Sequence, residues 1–418
     1  MNALNEGLME QMLTPENMSR AWQAVKANQG AAGIDGIGIG EFADHIRPHW
    51  PTVRRKVLDG RYKPAPVRRA YIPKGNGRKR PLGIPCVLDR LLQQAMLQVL
   101  QPHFEPLFSE HSYGFRPGRS AHDAVKAAQS IIAAGKDWVV DIDLQSFFDE
   151  VNHDILMSRI AQVIRDKRML KLIGQFLRSG VYEDGKVTRQ AKGVPQGGPL
   201  SPLLSNIYLT DLDKELESRG LSFCRYADDC NIYAGSKKAA ERIFLSVTRW
   251  IEKCLKVPVN YDKSASGRPW ERQFLGYQPT DDGALKPSPK AMERLKERVH
   301  TFFSGRYSRT SKQLRDEWIR FIRGWSNYYV LANEPYWRSN VSGWIRRHIR
   351  KCFWLRWRTA KGRKRKLRKL GVRPWQLRKC HLHGASWPMS RHPVMHTALD
   401  NKTLRKYGFL TPSDFAVQ

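Results

Sequence analysis

Two acidic segments contain side chains suited to catalysis or to metal binding. In DWVVDIDL, apolar residues alternate with Asp141 and Asp143, so both carboxylates lie on one face of a predicted strand. In FCRYADDCNIYA, Asp228 and Asp229 stand between two strand-like halves, where a tight β-hairpin turn is expected. Burying an unpaired carboxylate is unfavourable, so both segments favour a bound cation or a set of hydrogen bonds.

The candidate catalytic and metal-binding residues are Asp143, Asp228 and Asp229. For Asp143 alone, capping of the following helix is an alternative, and a single Asp in a hairpin turn is ordinary. Two adjacent acids repel each other, and a divalent cation removes that repulsion. Such an oxygen-rich site suits magnesium (Mg2+). Two Mg2+ ions about 3.5–4 Å apart could activate an attacking hydroxyl and stabilise a leaving pyrophosphate.

The charge balance predicts a polyanionic partner. The 418 residues include 72 Lys and Arg against 39 Asp and Glu, a formal net charge of +33. Because a compact body with that excess repels itself, nucleic acid is the leading partner. An anionic membrane surface is the alternative, but no apolar run approaches the roughly 18 residues of a spanning helix. The six scattered cysteines form no C-x-x-C pair, which favours a reducing cytoplasm over disulfides or structural zinc.

The residue pattern changes along the chain. Residues 1–60 are predicted to be helical with a Gly-rich interruption, and residues 61–135 alternate strand-like and helical pieces. Short apolar strands follow, and from residue 286 the pattern is helical, basic and rich in Trp. Pro335–Leu399 contains eighteen Lys and Arg and no acid. Within the piece that starts at Asp89, helical spacing typical of a core is shown by Leu91, Leu92, Ala95, Met96 and Val99.

Tyr226-Ala227-Asp228-Asp229 resembles the YxDD box of reverse transcriptases, and further blocks follow in the order of that family. GWSNYY (Gly324–Tyr329) lies in what would be the thumb or maturase X region. The chain resembles bacterial group II intron-encoded proteins, particularly the compact class C type. The other matching blocks are NQGAAGIDGI (Asn28–Ile37), IPKGNGRKRPLGIP (Ile72–Pro85), YGFRPGRSAHDAV (Tyr113–Val125), DIDLQSFFDEVNH (Asp141–His153), GVPQGGPLSPLLSNIYL (Gly193–Leu209) and FLGY (Phe274–Tyr277).

The resemblance implies an α+β fold of the right-hand polymerase type. It would have fingers, a palm of antiparallel strands with helices on one face, an α-helical thumb or X domain and a short basic C-terminal segment. The expected boundaries are 1–135 for the N-terminal extension and fingers, 136–285 for the palm with interleaved fingers elements, 286–370 for the thumb or X domain and 371–418 for the basic, DNA-binding-like segment.

The resemblance also implies nucleotide-binding roles for Lys74, Arg80, Phe147, Gln196 and Lys263. Lys74 and Arg80 flank a glycine turn and would close on the triphosphate of an incoming nucleotide. Gln196 would contact nucleotide or template. Phe147 would lie under the sugar and exclude a 2′ hydroxyl, with a place in the core as the alternative. Lys263 resembles a basic palm residue, with simple surface exposure as the alternative.

Basic residues of the later segments are expected to contact phosphates. Trp344 is expected in the core, while Trp354, Trp357 and Trp375 could be buried or could stack on unpaired bases. The residues expected to bind nucleic acid are Arg116, Arg119, Arg346, Arg347, Arg350, Arg363, Lys364, Arg365 and Lys366.

The function implied by the resemblance is that of an RNA-directed DNA polymerase that binds group II intron RNA, assists its splicing and copies it into DNA during retrotransposition. Its partners would be the intron RNA, an RNA template with a DNA primer, deoxynucleoside triphosphates and target DNA; no protein partner or membrane is indicated, and a bacterial cytoplasm is expected. The alternatives are an intron-free relative in DNA repair or phage defence, and a splicing-only RNA-binding maturase. Many relatives carry an HNH-type endonuclease with paired cysteines; without such pairs, DNA cleavage is not expected.

Overall fold

The computed structural model describes residues 7–73, 79–304 and 309–415. The chain divides into two compact units, Met1–Arg268 and Pro269–Gln418. Each has its own cluster of buried apolar residues. Residues 269–285, expected in the palm, pack with the second unit, and the four-part division of the chain remains a prediction.

The first unit is mixed helix and sheet, and its N-terminal stretch is helical with a non-helical interruption at residues 28–38, as expected. Its elements are α1 (Leu8–Met12), α2 (Pro15–Ala27), α3 (Ile39–Ile46), α4 (Trp50–Leu58), β1 (Val67–Pro73), β2 (Lys79–Ile84), α5 (Val87–Phe104), α6 (Ala121–Ala133), β3 (Trp138–Ile142), α7 (Phe147–Glu150), α8 (His153–Val163), α9 (Lys167–Leu177), β4 (Val181–Glu183), β5 (Lys186–Thr188), α10 (Ser201–Ser218), β6 (Ser222–Tyr226), β7 (Asp229–Ala234), α11 (Lys237–Trp250) and β8 (Ala265–Gly267).

Local sequence accounts for several of these elements. Thr14 caps α2 by accepting a hydrogen bond from the Asn17 backbone N–H, and Ser120 and Asp123 form a reciprocal capping box on α6. The apolar stripe expected between residues 89 and 104 forms one face of α5. Its residues Leu91, Leu92, Ala95 and Met96 are buried, and Val99 is partly buried against the same core.

The central sheet of the first unit is antiparallel, with strand order β6-β7-β3-β8. Val139, Val140 and Ile142 of β3 and Phe223 and Ile232 of the β6–β7 hairpin are buried in the core. The two acidic segments thus occupy neighbouring strands, as their apolar alternation predicted. The edge strand β8 was not anticipated, since its three residues, Ala-Ser-Gly, carry no strand pattern.

A second sheet in the first unit has the order β2-β1-β4-β5. β1 and β2 form an antiparallel hairpin in which Pro73 pairs with Lys79 and Ile72 with Arg80. Val67 of β1 pairs in parallel with Val181 of β4. The glycine turn and Lys74, predicted to bind the triphosphate, lie outside the described residues.

The second unit is mainly helical, as expected. Its core includes the buried Trp318, Trp354 and Ile345, while Trp344 is half-buried at its edge. Its elements are β9 (Tyr277–Pro279), β10 (Leu285–Pro287), α12 (Pro289–Phe302), α13 (Ser311–Tyr328), α14 (Trp337–Arg356), α15 (Ala360–Lys369), α16 (Pro374–Arg378), α17 (Ser386–Met389), α18 (Pro393–Ala398) and α19 (Asn401–Lys406).

Candidate active site

Strand pairing brings the three predicted catalytic aspartates to one end of the central sheet. Ile142, the last residue of β3, pairs with Cys230 of β7. Asp143 therefore leaves β3 beside Asp229, the first residue of β7. Asp228 lies in the turn that joins β6 to β7. Asp143 and Asp229, 86 positions apart in sequence, are thus placed side by side by the register of two antiparallel strands.

The hairpin turn falls one residue earlier than expected. Tyr226 pairs with Asp229, so the turn residues are Ala227 and Asp228, and Asp229 belongs to a strand. Ala227 has a φ of 57°, in the left-handed region that non-glycine residues adopt at some cost. Gly114 packs directly on this turn, because a Cβ at Gly114 would lie 2.3 Å from the Ala227 nitrogen. The glycine of the YGFRPG block is therefore needed for close packing under the turn that carries Asp228.

A buried arginine holds the turn from below. Arg225 and Asp213 form an ion pair in which both side chains are 0% exposed, with Nε donating to Asp213 Oδ1 at 2.6 Å. Arg225 Nη1 also donates to the Ala227 carbonyl oxygen (2.9 Å) and to Asn206 Oδ1 (3.1 Å), and Nη2 donates to Ser112 Oγ (2.8 Å). One guanidinium thus fixes the strained turn residue to α10 and to the segment before Gly114. Arg225 was not predicted from the sequence.

Asp143 is positioned by a segment that precedes β8. Its backbone N–H donates to Ser264 Oγ (2.9 Å), and its carbonyl oxygen accepts from the Asn260 N–H (2.9 Å). The Lys263 ammonium lies 3.4 Å from both carboxylate oxygens of Asp143. The structure therefore brings Lys263, one of the predicted nucleotide-binding residues, to the aspartates. Ser264 and Asn260 had no sequence signal, because the turn that presents them depends on the unexpected β8.

The carboxylates influence one another electrostatically. Burial raises the pKa of Asp228, and the neighbouring Asp143 adds to the increase. Loss of hydration, with repulsion from Asp228 and Asp143, raises the pKa of Asp229 to about 6, while Lys263 opposes that change. A set of carboxylates that raise one another's pKa is stabilised by any cation that enters among them. This is the electrostatic behaviour expected of a cation site.

The residues fit a divalent metal by donor chemistry and charge. In the described ranges no three His, Cys, Asp or Glu side chains form a ready-made metal cluster. The three aspartates nevertheless offer only oxygen donors, which hard cations such as Mg2+ prefer. One of them already has the cationic ammonium of Lys263 against both its oxygens. Their assignment as metal ligands remains a prediction.

A cavity of about 430 Å³ lies in the first unit beside two of the predicted nucleotide-binding residues. Arg80 Nε donates to Gln196 Oε1 at 3.2 Å, and both side chains line the cavity. The charge of Arg80 also opposes the rise in the pKa of Asp228. Further lining residues that the sequence analysis did not single out are Asn28, Arg90, Gln94, Phe115 and Phe148.

The glycines after Gln196 serve contacts within the chain. Gly197 has a φ of 129°, and a Cβ there would lie 2.5 Å from the carbonyl oxygen of Gly83 in β2. Gly83 N–H in turn donates to the Gln196 carbonyl oxygen (2.8 Å). Gly197 and Gly198 let the backbone lie close to β2 and α5. That packing places the Gln196 side chain against Arg80.

The sugar-contacting role predicted for Phe147 is not supported by the structure. Phe147 is 2% exposed and packs against Phe148 (ring centroids 5.4 Å apart) and Tyr208 (6.1 Å) in the core. The adjacent Phe148 lines the cavity with Arg80 and Gln196. In a helix two neighbouring residues face different directions, and the sequence alone did not show which of the two faced inward. The core alternative for Phe147 is the correct one.

The two arginines of the YGFRPGRS block differ in their surroundings. Arg116 is 7% exposed, pairs with Glu105 (2.8 Å) and donates to the Ser112 carbonyl oxygen (2.7 Å). Its guanidinium is used inside the protein, so the predicted nucleic-acid contact is withdrawn. Arg119 is half-buried and pairs with the exposed Glu110. An exposed pair of that kind is weak, so a phosphate contact by Arg119 stays a prediction.

Two predicted nucleic-acid-binding arginines of the second unit are also structural. Arg350 is 5% exposed and donates to the Leu399 carbonyl oxygen (3.0 Å), and burial lowers its pKa to about 10. Arg363 stacks 4.4 Å over Trp354 and donates to the Leu382 carbonyl oxygen (2.6 Å). Both guanidiniums satisfy backbone carbonyls, so we no longer assign them to phosphate.

The remaining predicted residues of this group are more accessible. Arg346 is half-buried and donates to Thr411 Oγ1 (3.0 Å), and Arg347 lies 5.6 Å from the centroid of the Trp387 ring. Lys364, Arg365 and Lys366 are exposed on α15. Their contact with nucleic acid remains a prediction.

An antiparallel sheet with acidic residues at one end, followed by a basic helical unit, defines a polymerase-type nucleotidyl transferase. Residues 72–279 match the family described as reverse transcriptase (RNA-dependent DNA polymerase), and residues 292–371 match the group II intron, maturase-specific domain. The protein YkfC of Escherichia coli K12 is 34% identical over 297 residues, which cover 62% of this chain and 78% of that protein. The chain therefore belongs to the group II intron reverse transcriptase and maturase family.

Two further similarities are less extensive. The group II intron-encoded protein LtrA of Lactococcus lactis subsp. cremoris is 38% identical over 222 residues, 52% of this chain but 36% of LtrA. The solved structure described as a partial Cas6-RT-Cas1--Cas2 complex covers 59% of this chain and 42% of its own at 24% identity, with a TM-score of 0.39. Among the described residues, no helix is both long and apolar enough to cross a membrane.

Membership of the family confirms the main sequence predictions. The chain is an RNA-directed DNA polymerase of the right-hand fold with a maturase domain, and its partners include an RNA template, nucleotides and intron RNA. The family uses divalent metal ions.

Proposed function

We propose that the chain copies its own group II intron RNA into DNA from a DNA primer, with Asp143, Asp228 and Asp229 as the ligands of two Mg2+ ions. It would also bind that RNA through the basic second unit and assist its splicing before retrotransposition into target DNA. The observation that supports the active-site assignment is the pairing of β3 with β7, which puts three mutually repelling carboxylates side by side.

Bound Mg2+ would supply activation of the primer 3′ hydroxyl and charge neutralisation at the leaving pyrophosphate. The residues of the chain supply positioning. Arg225 holds the turn that carries Asp228, and Ser264 fixes the backbone of Asp143. Arg80, held by Gln196, would face the triphosphate, and Lys263 would orient the carboxylate of Asp143.

Primer extension tests the active site. Wild-type protein should extend a DNA primer on an RNA template only with Mg2+. Asp143→Ala and Asp228→Ala should each lose at least about a hundredfold in rate while binding primer–template normally. The matched control is Asp262→Ala, an exposed acid next to Lys263 that should extend at the wild-type rate. Normal extension by Asp228→Ala would refute the assignment.

Splicing of the cognate RNA tests the maturase role separately. RNA taken from the sequence that flanks the reading frame should splice faster with the protein, and Asp228→Ala should still assist it. Extension without any effect on splicing would favour an intron-free reverse transcriptase. Splicing assistance without extension by wild type would favour a splicing-only maturase.

A further inference from the structure

The second unit contains a pocket of its own, and two of its lining residues, Trp357 and Lys366, were singled out from the sequence. Its volume is about 340 Å³, and it lies among α13, α14, α15 and α19. Pockets that hold small organic ligands start at about 300 Å³. The space is thus right for one small flat molecule or side group and too small for a nucleic-acid helix.

The pocket has an apolar floor and an aromatic rim. The floor includes Phe353, Leu404 and Phe409, and the rings of Phe353 and Phe409 meet edge to face with centroids 5.1 Å apart. The rim includes the half-buried Trp357 and Tyr407, the latter 51% exposed. An exposed aromatic side chain beside an apolar floor offers a stacking surface to a planar ring.

Tyr407 is held in place by the glycine that follows it. Gly408 has a φ of 79°, and a Cβ there would lie 2.8 Å from Ile319 Cδ1 and 3.0 Å from Arg315 Cδ. The end of α19 is therefore packed tightly on α13, and the turn cannot easily move. A stacking surface fixed in this way loses little conformational entropy when a ligand binds.

The charge around the pocket is positive. Lys312, Lys366 and Lys369 line it and are exposed, and none of the lining residues is acidic. In the described part of the chain none of these lysines has an ion-pair partner, whereas Arg315 on the same rim pairs with Asp316 at 2.7 Å. Three ammonium groups without ion-pair partners around an apolar floor suit a planar base whose nucleotide is flanked by backbone phosphates.

We propose that this pocket takes one unstacked base of a structured RNA, with the flanking phosphates on Lys312, Lys366 and Lys369. Single-stranded RNA loops and bulges present such bases, and aromatic side chains stack on them. The proposal rests on the proposed function, because it gives the intron-binding unit a specific point of contact.

The test is a comparison of two RNA hairpins, one fully paired and one with a single unpaired adenosine replaced by 2-aminopurine. Wild-type protein should bind the bulged RNA about tenfold more tightly, the range expected for one stacked base, and should change the 2-aminopurine fluorescence. Tyr407→Ala should remove most of this preference. The matched control Tyr336→Ala, at a 79% exposed position of the same unit, should keep it.

Two lysine variants on α15 distinguish binding in the pocket from general binding of phosphates. Lys366→Ala should reduce the preference for the bulged RNA, whereas Lys364→Ala, exposed on the same helix but outside the pocket, should weaken both RNAs equally. Equal binding of both hairpins by wild type, or equal effects of the two tyrosine variants, would overturn the proposal. A stronger preference for a bulged DNA hairpin would overturn the assignment to RNA.

Failure of this proposal is distinguishable from failure of the proposed function. If paired RNA binds and primers are extended but the bulge has no effect, the pocket assignment alone is wrong. If neither RNA binds, the intron-binding role of the second unit fails with it.

Discussion

The two units of this protein handle charge in opposite ways. The first unit gathers three carboxylates at the end of a buried sheet and raises the pKa of two of them. The second unit has a stretch, Pro335–Leu399, with eighteen basic residues and no acid. A polymerase needs both: concentrated negative charge where a metal is to act, and distributed positive charge where a long polyanion lies.

The comparison also shows what buried arginines do in a very basic protein. In the first unit Arg225 is neutralised by a buried partner, Asp213. In the second unit Arg350 is buried against a backbone carbonyl, and its pKa falls. Net charge therefore overstates the positive surface, and each cation must be located in the structure before it is assigned to phosphate.

The largest effect is expected at the arginine below the catalytic turn. Arg225→Met leaves Asp213 buried without a partner and should lower the free energy of unfolding of the first unit by about 3–5 kcal/mol. The control is Arg219→Met, which removes the partly exposed ion pair of Arg219 with Glu215 of α10. It should change the free energy of unfolding by less than about 1 kcal/mol. Urea unfolding measures both.

A readout beyond stability tests the positioning role of Arg225. Ser112→Ala removes one acceptor of the guanidinium without removing a charge. It should lower the primer-extension rate and raise the Mg2+ concentration needed for half-maximal rate, at an unfolding cost of about 1–3 kcal/mol, smaller than that of Arg225→Met. If Arg225→Met and Arg219→Met unfold alike, or Ser112→Ala extends normally, the turn does not depend on this network.

Opposite pH dependences should distinguish the two units. Burial raises the pKa of Asp89 in the first unit to about 7, and burial lowers the pKa of His348 in the second to about 4. Asp89 thus binds its proton more tightly in the folded state, so wild type loses stability as pH rises from about 4 to 7. His348 binds its proton less tightly when folded, so wild type loses stability as pH falls from about 6.5 to 4.

The measurement is the stability of a neutral variant relative to wild type, because the difference removes all other titrating groups. Asp89→Asn should improve relative to wild type as pH rises through its window. His348→Gln should improve as pH falls through its own. The expected changes are roughly 1–3 kcal/mol. If the stability of both variants relative to wild type changed with pH in the same direction, the opposite pH dependences of the two units would be refuted.

The sequence predicted the sheet and the aspartates because apolar alternation and the order of the blocks depend on local pattern. It did not predict which of two adjacent aromatic residues packs in the core and which lines the cavity. Phe147 and Phe148 are adjacent and identical, and packing against Tyr208 decides between them. Ser264 and Asn260 were missed because they bind the backbone of Asp143 from a turn formed by long-range pairing.

The smallest effect is expected at single cations of the second unit, where the comparison of buried and exposed charge is sharpest. Lys364→Ala should leave stability unchanged, weaken RNA binding by a few fold and reduce the slope of log affinity against log salt by about 0.7. Arg350→Ala should leave RNA binding and its salt slope unchanged. It should lower the free energy of unfolding by about 1–3 kcal/mol, because the Leu399 carbonyl loses its hydrogen-bond donor. Salt titrations of RNA binding and thermal unfolding measure the two effects. If Arg350→Ala lowered the salt slope at unchanged stability, the buried arginine would be a phosphate contact after all, and the sequence prediction would have been right.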